Sequence, residues 1–339
     1  MPHAPAGRPS PANAGPDAGI AAPEDGPGWL LTLPMMLGSG ALIALQSEVN
    51  GDLAGRLGTG LRASALAAVI SFGGGLLVLT VLAVVRRSVG RGVRQLMTAV
   101  VRRQVPLWLV IGGLGGAFFV ASQGVAARAL GITFFVLCFV AGQAVMALLV
   151  DHRGWGPSPP AQLRAGRVVG AAMAVLAVGV SGAGLLADLP LTVVFVVLAA
   201  LPLVAGAVNS LQQGMNGRVA ARFGSWVTTW NNFFVGTLGL LVFWLVTLLV
   251  PGRIAGPPSQ PWLYLGGLCG IGFIWAASVT VRIHGVLVVG VFAVAGQVLT
   301  AALISVLTLP TGPPLTTWLA VLVSLAGAAV VGLSQRRRA

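Results

Sequence analysis

The sequence predicts an all-α integral membrane protein, with ten transmembrane helices arranged as two inverted five-helix repeats. Three observations lead to this prediction. Hydrophobic residues make up 56% and charged residues 8% of the 339-residue chain, a composition outside the range of soluble domains. Long apolar runs recur along the chain, and a set of motifs occurs twice within them. The arginines are distributed unequally between alternate loops.

Ten apolar runs are long enough to cross a bilayer, which requires about 20 mostly apolar residues. They lie at 30–50, 63–85, 106–127, 131–150, 166–186, 190–212, 227–250, 261–282, 286–309 and 315–334. Because the runs are continuous rather than alternating, helices are favoured over barrel strands. The first and sixth helices are expected to continue past Asn50 and Asn216. The 48 glycines fit close helix packing in lipid.

Two groups of residues occur twice. The first group consists of Gly40-Ala41, Gln46, Asn50-Gly51 and Arg56. It returns 166 residues later as Gly206-Ala207, Gln212, Asn216-Gly217 and Arg222. The second group consists of Trp108, Gly112-Gly113-Leu114 and Val140–Gln143. It returns at a constant offset of 154 residues as Trp262, Gly266-Gly267-Leu268 and Val294–Gln297. Each copy holds five helices, an odd number, so the second copy enters the membrane from the opposite side, as in many carriers. The predicted units are a disordered tail at 1–28, repeats at 29–187 and 188–335, and a basic tail at 336–339.

The charges predict the topology. All 20 basic residues are arginine, and 16 of them lie in the termini and the even-numbered loops. This positive-inside pattern places both termini in the cytoplasm. Six of these arginines fall in the loop Arg86–Arg103, which is interpreted as a topology determinant lying against anionic headgroups. Since the net charge of +13 sits in loops rather than on one face, it does not indicate a nucleic-acid partner.

Enzyme chemistry, cofactors and metal sites are not expected. The sequence has no metal-ligand cluster, no nucleophile elbow with partners and no phosphate-binding glycine motif with lysine. Cys138 and Cys269 both fall inside predicted spans, where they are interpreted as small packing residues. Gly154–Pro160 is interpreted as a short rigid turn between the fourth and fifth spans.

Several motifs in order resemble the drug/metabolite transporter superfamily, and within it the branch of bacterial five-helix inner-membrane exporters, here in duplicated form. They are Gln46, Asn50, Ser71-Phe72 with Gly75, Gly112-Gly113-Leu114 with Gly116, Gly142-Gln143 and Asp151-His152-Arg153-Gly154. The resemblance spans about residues 30 to 335. It implies a ten-helix fold with a central cavity, a location in the bacterial plasma (inner) membrane, and transport of small solutes.

The second copy departs from this pattern in two places. Ser305–Thr308 stands where the first copy has Asp151–Gly154. Four fewer residues separate Asn216 from Phe234 than separate Asn50 from Phe72. In this alignment Asn231 and Asn232 have no polar counterpart in the first copy.

Polar side chains inside spans are the candidate binding residues, because such groups are costly in lipid and are often functional. Six amides recur in both halves: Gln46, Asn50, Gln143, Gln212, Asn216 and Gln297. A primary amide can both donate and accept hydrogen bonds, so we predict that these residues line a shared cavity around the two-fold axis and bind the substrate. The alternative is that they join helices to one another, at about 0.6–2 kcal/mol each. This alternative has equal weight for Gln143 and Gln297, and is favoured for the other four.

Three further residues complete the candidate set. Asn232 and Gln123 are additional substrate contacts that occur in one copy only. Glu48 is the candidate for proton coupling. It shares a helix face with Asp52 and Arg56, so a solvated or salt-bridged helix end is the favoured interpretation of Glu48.

The predicted function is a secondary transporter, with export as the expected direction, that moves a small organic metabolite or drug-like solute by alternating access. One alternative is a flippase for lipid or polyprenyl carriers, which predicts a lateral opening and a basic pocket near one leaflet. Another is a non-transporting membrane scaffold, which predicts no central cavity. The expected partners are a small-molecule substrate and the lipid bilayer, with a homodimer left open.

Overall fold

The computed structural model describes residues 29–130, 132–181, 193–308, 310 and 312–336. Within these residues the chain forms twelve α-helices. They are α1 (Trp29–Leu57), α2 (Gly60–Val85), α3 (Arg87–Val101), α4 (Leu107–Val110), α5 (Gly113–Leu130), α6 (Ile132–Arg153), α7 (Ala165–Ser181), α8 (Val193–Phe223), α9 (Ser225–Thr247), α10 (Gly266–His284), α11 (Val286–Thr308) and α12 (Leu315–Arg336). The predicted tail at 1–28 and residues 337–339 of the basic tail lie outside the described residues.

Seven helical segments of the described chain are long and apolar enough to cross a membrane. They are Gly60–Val85, Phe134–Arg153, Val193–Phe223, Ser225–Thr247, Pro261–His284, Val286–Leu307 and Leu315–Ser334. A shorter apolar helix occupies Ala165–Val180. The chain is therefore a multi-pass helical membrane protein, and the count of ten spans stays a prediction.

Helices α1 and α8 both run past their asparagines, as predicted, and end at Leu57 and Phe223. Each is followed by a glycine with positive φ, 146° at Gly58 and 87° at Gly224. Residues with a side chain rarely adopt this backbone conformation, whereas glycine adopts it readily. The two helices therefore end at corresponding positions, 166 residues apart.

The third and eighth predicted spans each begin with a short helical turn that precedes the main helix. The third begins with the short helix α4 and resumes at Gly113, and the eighth begins with a 3₁₀ turn at Pro261–Tyr264 and resumes at Gly266. A glycine pair follows each short turn, and glycine weakens helix continuity. The break occurs at the same place in both halves.

The loop Arg86–Arg103, interpreted from the sequence as a topology determinant, is mostly helical, and the sequence analysis did not predict this helix. Buried residues recur along α3 at intervals of three and four, at Val89, Gly92, Leu96 and Ala99. This spacing produces one buried face on a helix. The face packs on the start of α9, where a Cβ added at Gly92 would lie 2.6 Å from Val227 Cγ2. The density of arginines obscured this apolar spacing in the sequence.

Helix α1 crosses α11 at two glycines that place backbone against backbone. A Cβ at Gly40 would collide with the carbonyl oxygen of Ala293, and a Cβ at Gly296 would collide with the carbonyl oxygen of Leu37. Any side chain at either position would therefore push the helices apart. In lipid, such close approach of backbones is a main source of helix association.

Helix α6 crosses α8 in the same way. A Cβ at Gly206 would collide with the carbonyl oxygen of Phe139, and a Cβ at Gly142 with that of Leu203. Gly206 and Leu203 lie 166 residues after Gly40 and Leu37, while Gly142 precedes Gly296 by 154. The two crossings are therefore built from corresponding residues, with the first helix of each half meeting the fourth helix of the other.

Two phenylalanines meet where the halves adjoin. The rings of Phe72 and Phe233 stack with centroids 5.0 Å apart and an interplanar angle of 29°. Phe72 lies 3.2 Å from the Cβ position of Gly116, and Phe233 lies 3.0 Å from that of Gly270. Because Gly116 and Gly270 correspond at the 154-residue offset, Phe233 is the counterpart of Phe72.

This correspondence corrects the sequence alignment, which paired Phe72 with Phe234. The connection in the second half is one residue shorter than predicted, and Ser71 becomes the counterpart of Asn232. Asn232 therefore does have a polar counterpart, whereas Asn231 aligns with Ile70. Two adjacent phenylalanines cannot be told apart by sequence, but only one of them faces the glycine.

The carboxyl ends of α1 and α8 lie at opposite ends of the bundle. Beside α1, Gly58–Thr59 pairs antiparallel with Arg253–Ile254, just after the end of α9. Beside α8, Arg222 Nη1 donates to the Gln104 carbonyl oxygen at 3.2 Å, just after α3. Since α9 connects the two regions with 23 residues, they are separated by about 35 Å at 1.5 Å per helical residue.

Replacing Gly40 by alanine is expected to destabilise the protein by about 1–3 kcal/mol, because the new Cβ overpacks against the backbone of α11. Gly38→Ala is the matched control, since a Cβ there meets nothing within 4 Å and gains about 0.5–1 kcal/mol of helix propensity. Thermal melting of both variants in detergent checks this. Equal melting temperatures would contradict the crossing.

Candidate functional site

A polar cleft of 480 Å³ lies at the carboxyl end of α1. It is lined by α1, the start of α2 and one turn of α5, through Ser47, Glu48, Asn50, Gly51, Ala54, Gly55, Gly58, Gly60, Ser64, Ala68, Val120 and Gln123. The small residues make the space: a Cβ added at Gly51 or Gly55 would meet nothing within 4 Å. The cleft is large enough for a small organic solute.

The cleft brings together three of the residues predicted from sequence, namely Glu48, Asn50 and Gln123. Glu48 is exposed, while Asn50 and Gln123 are half-buried. Ser47 and Ser64 join them and were missed, because isolated serines in apolar helices carry little signal. Around one carboxylate, the cleft thus offers two amides and two hydroxyls.

Beside the cleft residue Asn50, two buried atoms have unused hydrogen-bonding capacity. Within the part of the chain that the structure describes, Asn50 Oδ1 and Ser71 Oγ are both buried without a hydrogen-bond partner. They converge on Gly266, where an added Cβ would lie 2.9 Å from Ser71 Oγ and would collide with Asn50 Oδ1. Buried polar atoms are normally paired, so this pair is suited to a water molecule or a polar group of a solute.

At the corresponding place in the second half three amides are hydrogen-bonded to one another, and Gln212 Oε1 is buried without a partner among the described residues. Gln212 Nε2 donates to Asn232 Oδ1 at 3.3 Å, and Asn232 Nδ2 donates to Asn216 Oδ1 at 3.2 Å. All three side chains are buried. This pairing is the arrangement that a structural role predicts, and binding of the substrate by these amides stays a prediction.

The remaining predicted amides lie elsewhere. Gln143 is 7% exposed and borders a small, mainly apolar cavity of 10 Å³ together with Leu287 and Gly290. Gln297 and Gln46 are half-buried, with Gln46 Nε2 2.7 Å from the Cβ position of Gly270. Among the described residues that line the polar cleft, none of these three occurs, so their role in binding stays a prediction.

A buried ion pair was not predicted as part of any site. Asp151 is paired with Arg167, and its carboxylate also accepts the backbone N–H groups of Val286 at 2.8 Å and Leu287 at 3.1 Å. These N–H groups open α11, so Asp151 caps that helix and joins it to α6 and α7. Its counterpart Ser305 donates to a carbonyl oxygen of its own helix, that of Ala301, at 2.9 Å. In the sequence, the Asp-His-x-Gly motif that begins at Asp151 was the signal that could have pointed to this ion pair.

The segment Gly154–Pro160, predicted to be a short rigid turn, packs on α8. Arg218 Nη2 donates to the Gly154 carbonyl oxygen at 2.7 Å, and its Nε donates to that of Gly156 at 3.1 Å. Pro157 lies against Gly217, with Cγ 2.7 Å from the Cβ position of that glycine. The segment is therefore part of the packed bundle rather than a free connection.

Comparison with known proteins places the chain in a family. A family described as "Putative inner membrane exporter, YdcZ" matches the chain twice, over residues 31–180 and 197–331. The chain belongs to this family of membrane exporters, and its two matches agree with a duplicated unit. This confirms the resemblance drawn from the motifs. No curated protein matches the chain.

Among 21 matching chains of solved structures, one described as "Crystal structure of protein" has a TM-score of 0.65 and 20% sequence identity. The superposition covers 91% of this chain and 96% of that chain. At this identity the similarity shows the fold alone. It establishes that nearly the whole described bundle follows a known helical arrangement.

Asn232→Ala is expected to lower the free energy of unfolding by about 1–3 kcal/mol, because Gln212 and Asn216 lose a buried partner. Ser71→Ala, at the corresponding position, is expected to leave stability unchanged, since the Ser71 hydroxyl has no partner to lose. Thermal melting of the purified variants provides the comparison. A larger loss from Ser71→Ala than from Asn232→Ala would show that the two environments are assigned the wrong way round.

Proposed function

We propose that this protein is a secondary transporter that exports a small organic solute by alternating access, with the polar cleft at the end of α1 as its binding site. The cleft is the observation that carries the proposal, because it opens a polar surface beside Glu48, Asn50 and Gln123 in a bundle of apolar helices. Membership of an inner membrane exporter family supports transport. Two related conformations, each open to one side, would move the solute.

We further propose that the chain crosses the membrane ten times, as two inverted five-helix repeats with both termini in the cytoplasm. The corresponding crossings at Gly40 with Gly296 and at Gly206 with Gly142 support this arrangement. So do the corresponding breaks before Gly113 and Gly266. The opposite positions of the carboxyl ends of α1 and α8 are those expected when the second repeat is inverted.

The cleft favours a solute rich in hydrogen-bonding groups. Gln123 and Asn50 can each donate and accept, and the serine hydroxyls can do the same. Glu48 adds one exposed carboxylate at the mouth. The mostly uncharged lining supports a neutral or zwitterionic substrate, and Glu48 remains the candidate for proton coupling.

The alternatives have less support. A scaffold would need no cleft, and no group of polar residues such as Glu48, Asn50 and Gln123 around one. A flippase needs a lateral opening with a basic pocket. The groove of 450 Å³ between α5 and α9 is lined by apolar residues and glycine only, from Leu114, Ala117, Phe118, Ala121, Leu238, Gly239, Val242 and Phe243. A surface of this kind fits ordinary contact with lipid tails.

The binding site can be tested once a substrate is found, by screening metabolites for ligands that raise the melting temperature of the purified protein. Gln123→Leu is expected to reduce affinity at least tenfold, about 1.4 kcal/mol, because it removes an amide from the cleft. Titration and counterflow in proteoliposomes measure the effect. Gln95→Leu, on the exposed face of α3, is the control. Loss of binding with Gln143→Leu but not with Gln123→Leu would show that the binding site lies at Gln143 and not in the cleft.

The inverted arrangement can be tested at Arg56 and Arg222, which correspond and are both exposed. In a protein whose two cysteines are replaced by alanine, Arg56→Cys is expected to react with a membrane-impermeant thiol reagent on intact cells. Arg222→Cys is expected to react only after the membrane is opened. Reaction of both variants on intact cells would rule out inverted repeats.

A further inference from the structure

Two corresponding helix surfaces have opposite environments. Gly51 on α1 borders the polar cleft, and a Cβ added there would meet none of the described residues within 4 Å. Gly217, its counterpart on α8, would meet Pro157 Cγ at 2.7 Å and Val281 Cγ1 at 3.0 Å. The surface that is open at the end of α1 is therefore covered at the end of α8.

The cover is the segment Gly154–Pro160. It also lies over Gly214, whose added Cβ would approach Val150 Cγ1 at 3.0 Å and Gly156 Cα at 3.5 Å. Gly214 is the counterpart of Glu48. A glutamate side chain has space in the open cleft but not beneath the segment, which explains why the two halves differ here.

A buried polar side chain stands on α8 beside the covered glycines. Gln213 directly precedes Gly214 and comes one turn before Gly217; it is 5% exposed, and its Oε1 has no hydrogen-bond partner among the described residues. Its counterpart, Ser47, lines the open cleft. Gln213 therefore occupies on α8 the position that faces the cleft on α1.

One side chain holds the segment against α8. Arg218 donates to the carbonyl oxygens of Gly154 and Gly156, and its guanidinium lies 5.9 Å from the ring centroid of Trp108. Hydrogen bonds from a charged donor are stronger than neutral ones. The counterpart of Arg218 on α1 is Asp52, which is exposed.

The two ends of the segment are anchored separately from Arg218. Trp155 N donates to the Val150 carbonyl oxygen at 2.9 Å, and Ala161 N donates to that of Asp151 at 2.8 Å. The Asp151 side chain is in turn fixed by Arg167 and by the start of α11. The middle of the segment could therefore leave α8 while its ends stay in place.

We propose that Gly154–Pro160 closes a second solute-binding vestibule, equivalent to the polar cleft, and that Arg218 is its latch. Gln213 is the solute contact in this vestibule, in the role that Ser47 and its neighbours have in the cleft. The proposal rests on the proposed function, because alternating access requires that one vestibule be open while the other is closed. The structure then represents the state with the α1 end open and the α8 end closed.

Two cysteine reporters test the gate without any substrate. In protein carrying Cys138→Ala and Cys269→Ala, Ser47→Cys is expected to react quickly with a water-soluble thiol reagent and Gln213→Cys slowly. Adding Arg218→Gln is expected to speed the reaction at Gln213→Cys at least tenfold and to slow that at Ser47→Cys. Arg222→Gln is the matched control, since Arg222 bonds to the Gln104 carbonyl oxygen and not to the segment.

Two outcomes overturn the gate. Either the rate at Gln213→Cys is the same with Arg218→Gln as with Arg222→Gln, or both reporters speed up together, which indicates general loosening. If Arg218→Gln does not fold, a disulfide between Pro157→Cys and Gly217→Cys replaces it. The crosslink is expected to keep Gln213 protected in the protein and to stop transport until it is reduced, and transport through the crosslinked protein contradicts the gate.

Failure of the gate and failure of the proposed function give different results. Reciprocal changes at the two reporters, in a protein that moves no solute, support the gate and contradict the transport assignment. Transport by a protein whose reporters do not respond to Arg218→Gln supports the transport assignment and contradicts the gate.

Discussion

The rest of the structure depends on backbone contact at four glycines, Gly40, Gly142, Gly206 and Gly296. At each of them a Cβ would collide with a carbonyl oxygen of the facing helix. Lipid tails are as apolar as leucine, so burial of apolar surface gives helices little reason to associate within a bilayer. Close approach and good packing of the helices must provide the attraction instead. These crossings hold α1 against α11 and α6 against α8, and thereby fix where the carboxyl ends of α1 and α8 lie.

Glycines of a second set bring amides into contact. Gly112 lets the third helical segment approach Asn216 on α8, and Gly266 lets the eighth approach Asn50 on α1. In one half Asn232 bonds to both Gln212 and Asn216, whereas at the corresponding position in the other half the Ser71 hydroxyl has no partner among the described residues. One framework thus holds a hydrogen-bonded set of amides on one side and unpaired polar atoms on the other.

The buried ion pair fixes a neighbouring part of the bundle. Asp151 and Arg167 have side chains only 5% and 9% exposed, and a buried pair is stable only when its remaining hydrogen bonds are satisfied. The N–H groups at the start of α11 supply them. Because this arrangement fixes the point where the chain leaves α6, it also fixes the start of Gly154–Pro160 over α8. The second half, with Ser305 at the corresponding position, has no comparable anchor there.

Much of the architecture could be predicted from the sequence, because apolar length and repeated glycines are local signals. The continuation of α1 past Asn50 and of α8 past Asn216 was predicted correctly, and so was the family. Helix α3 was missed since its arginines hid a buried face of four residues. The counterpart of Phe72 was misassigned because Phe233 and Phe234 are adjacent, and only contact with Gly270 distinguishes them.

The sequence by itself determined that this chain is a membrane protein made of a duplicated helical unit, because hydrophobicity and repetition are properties of the chain alone. Only the tertiary structure decided which polar residues face open space. Glu48, Asn50 and Gln123 share a cleft because three helices converge there, while Gln212 and Asn216 are closed off by Asn232. The physical reason is that exposure depends on what a neighbouring helix places opposite, and no local pattern records that.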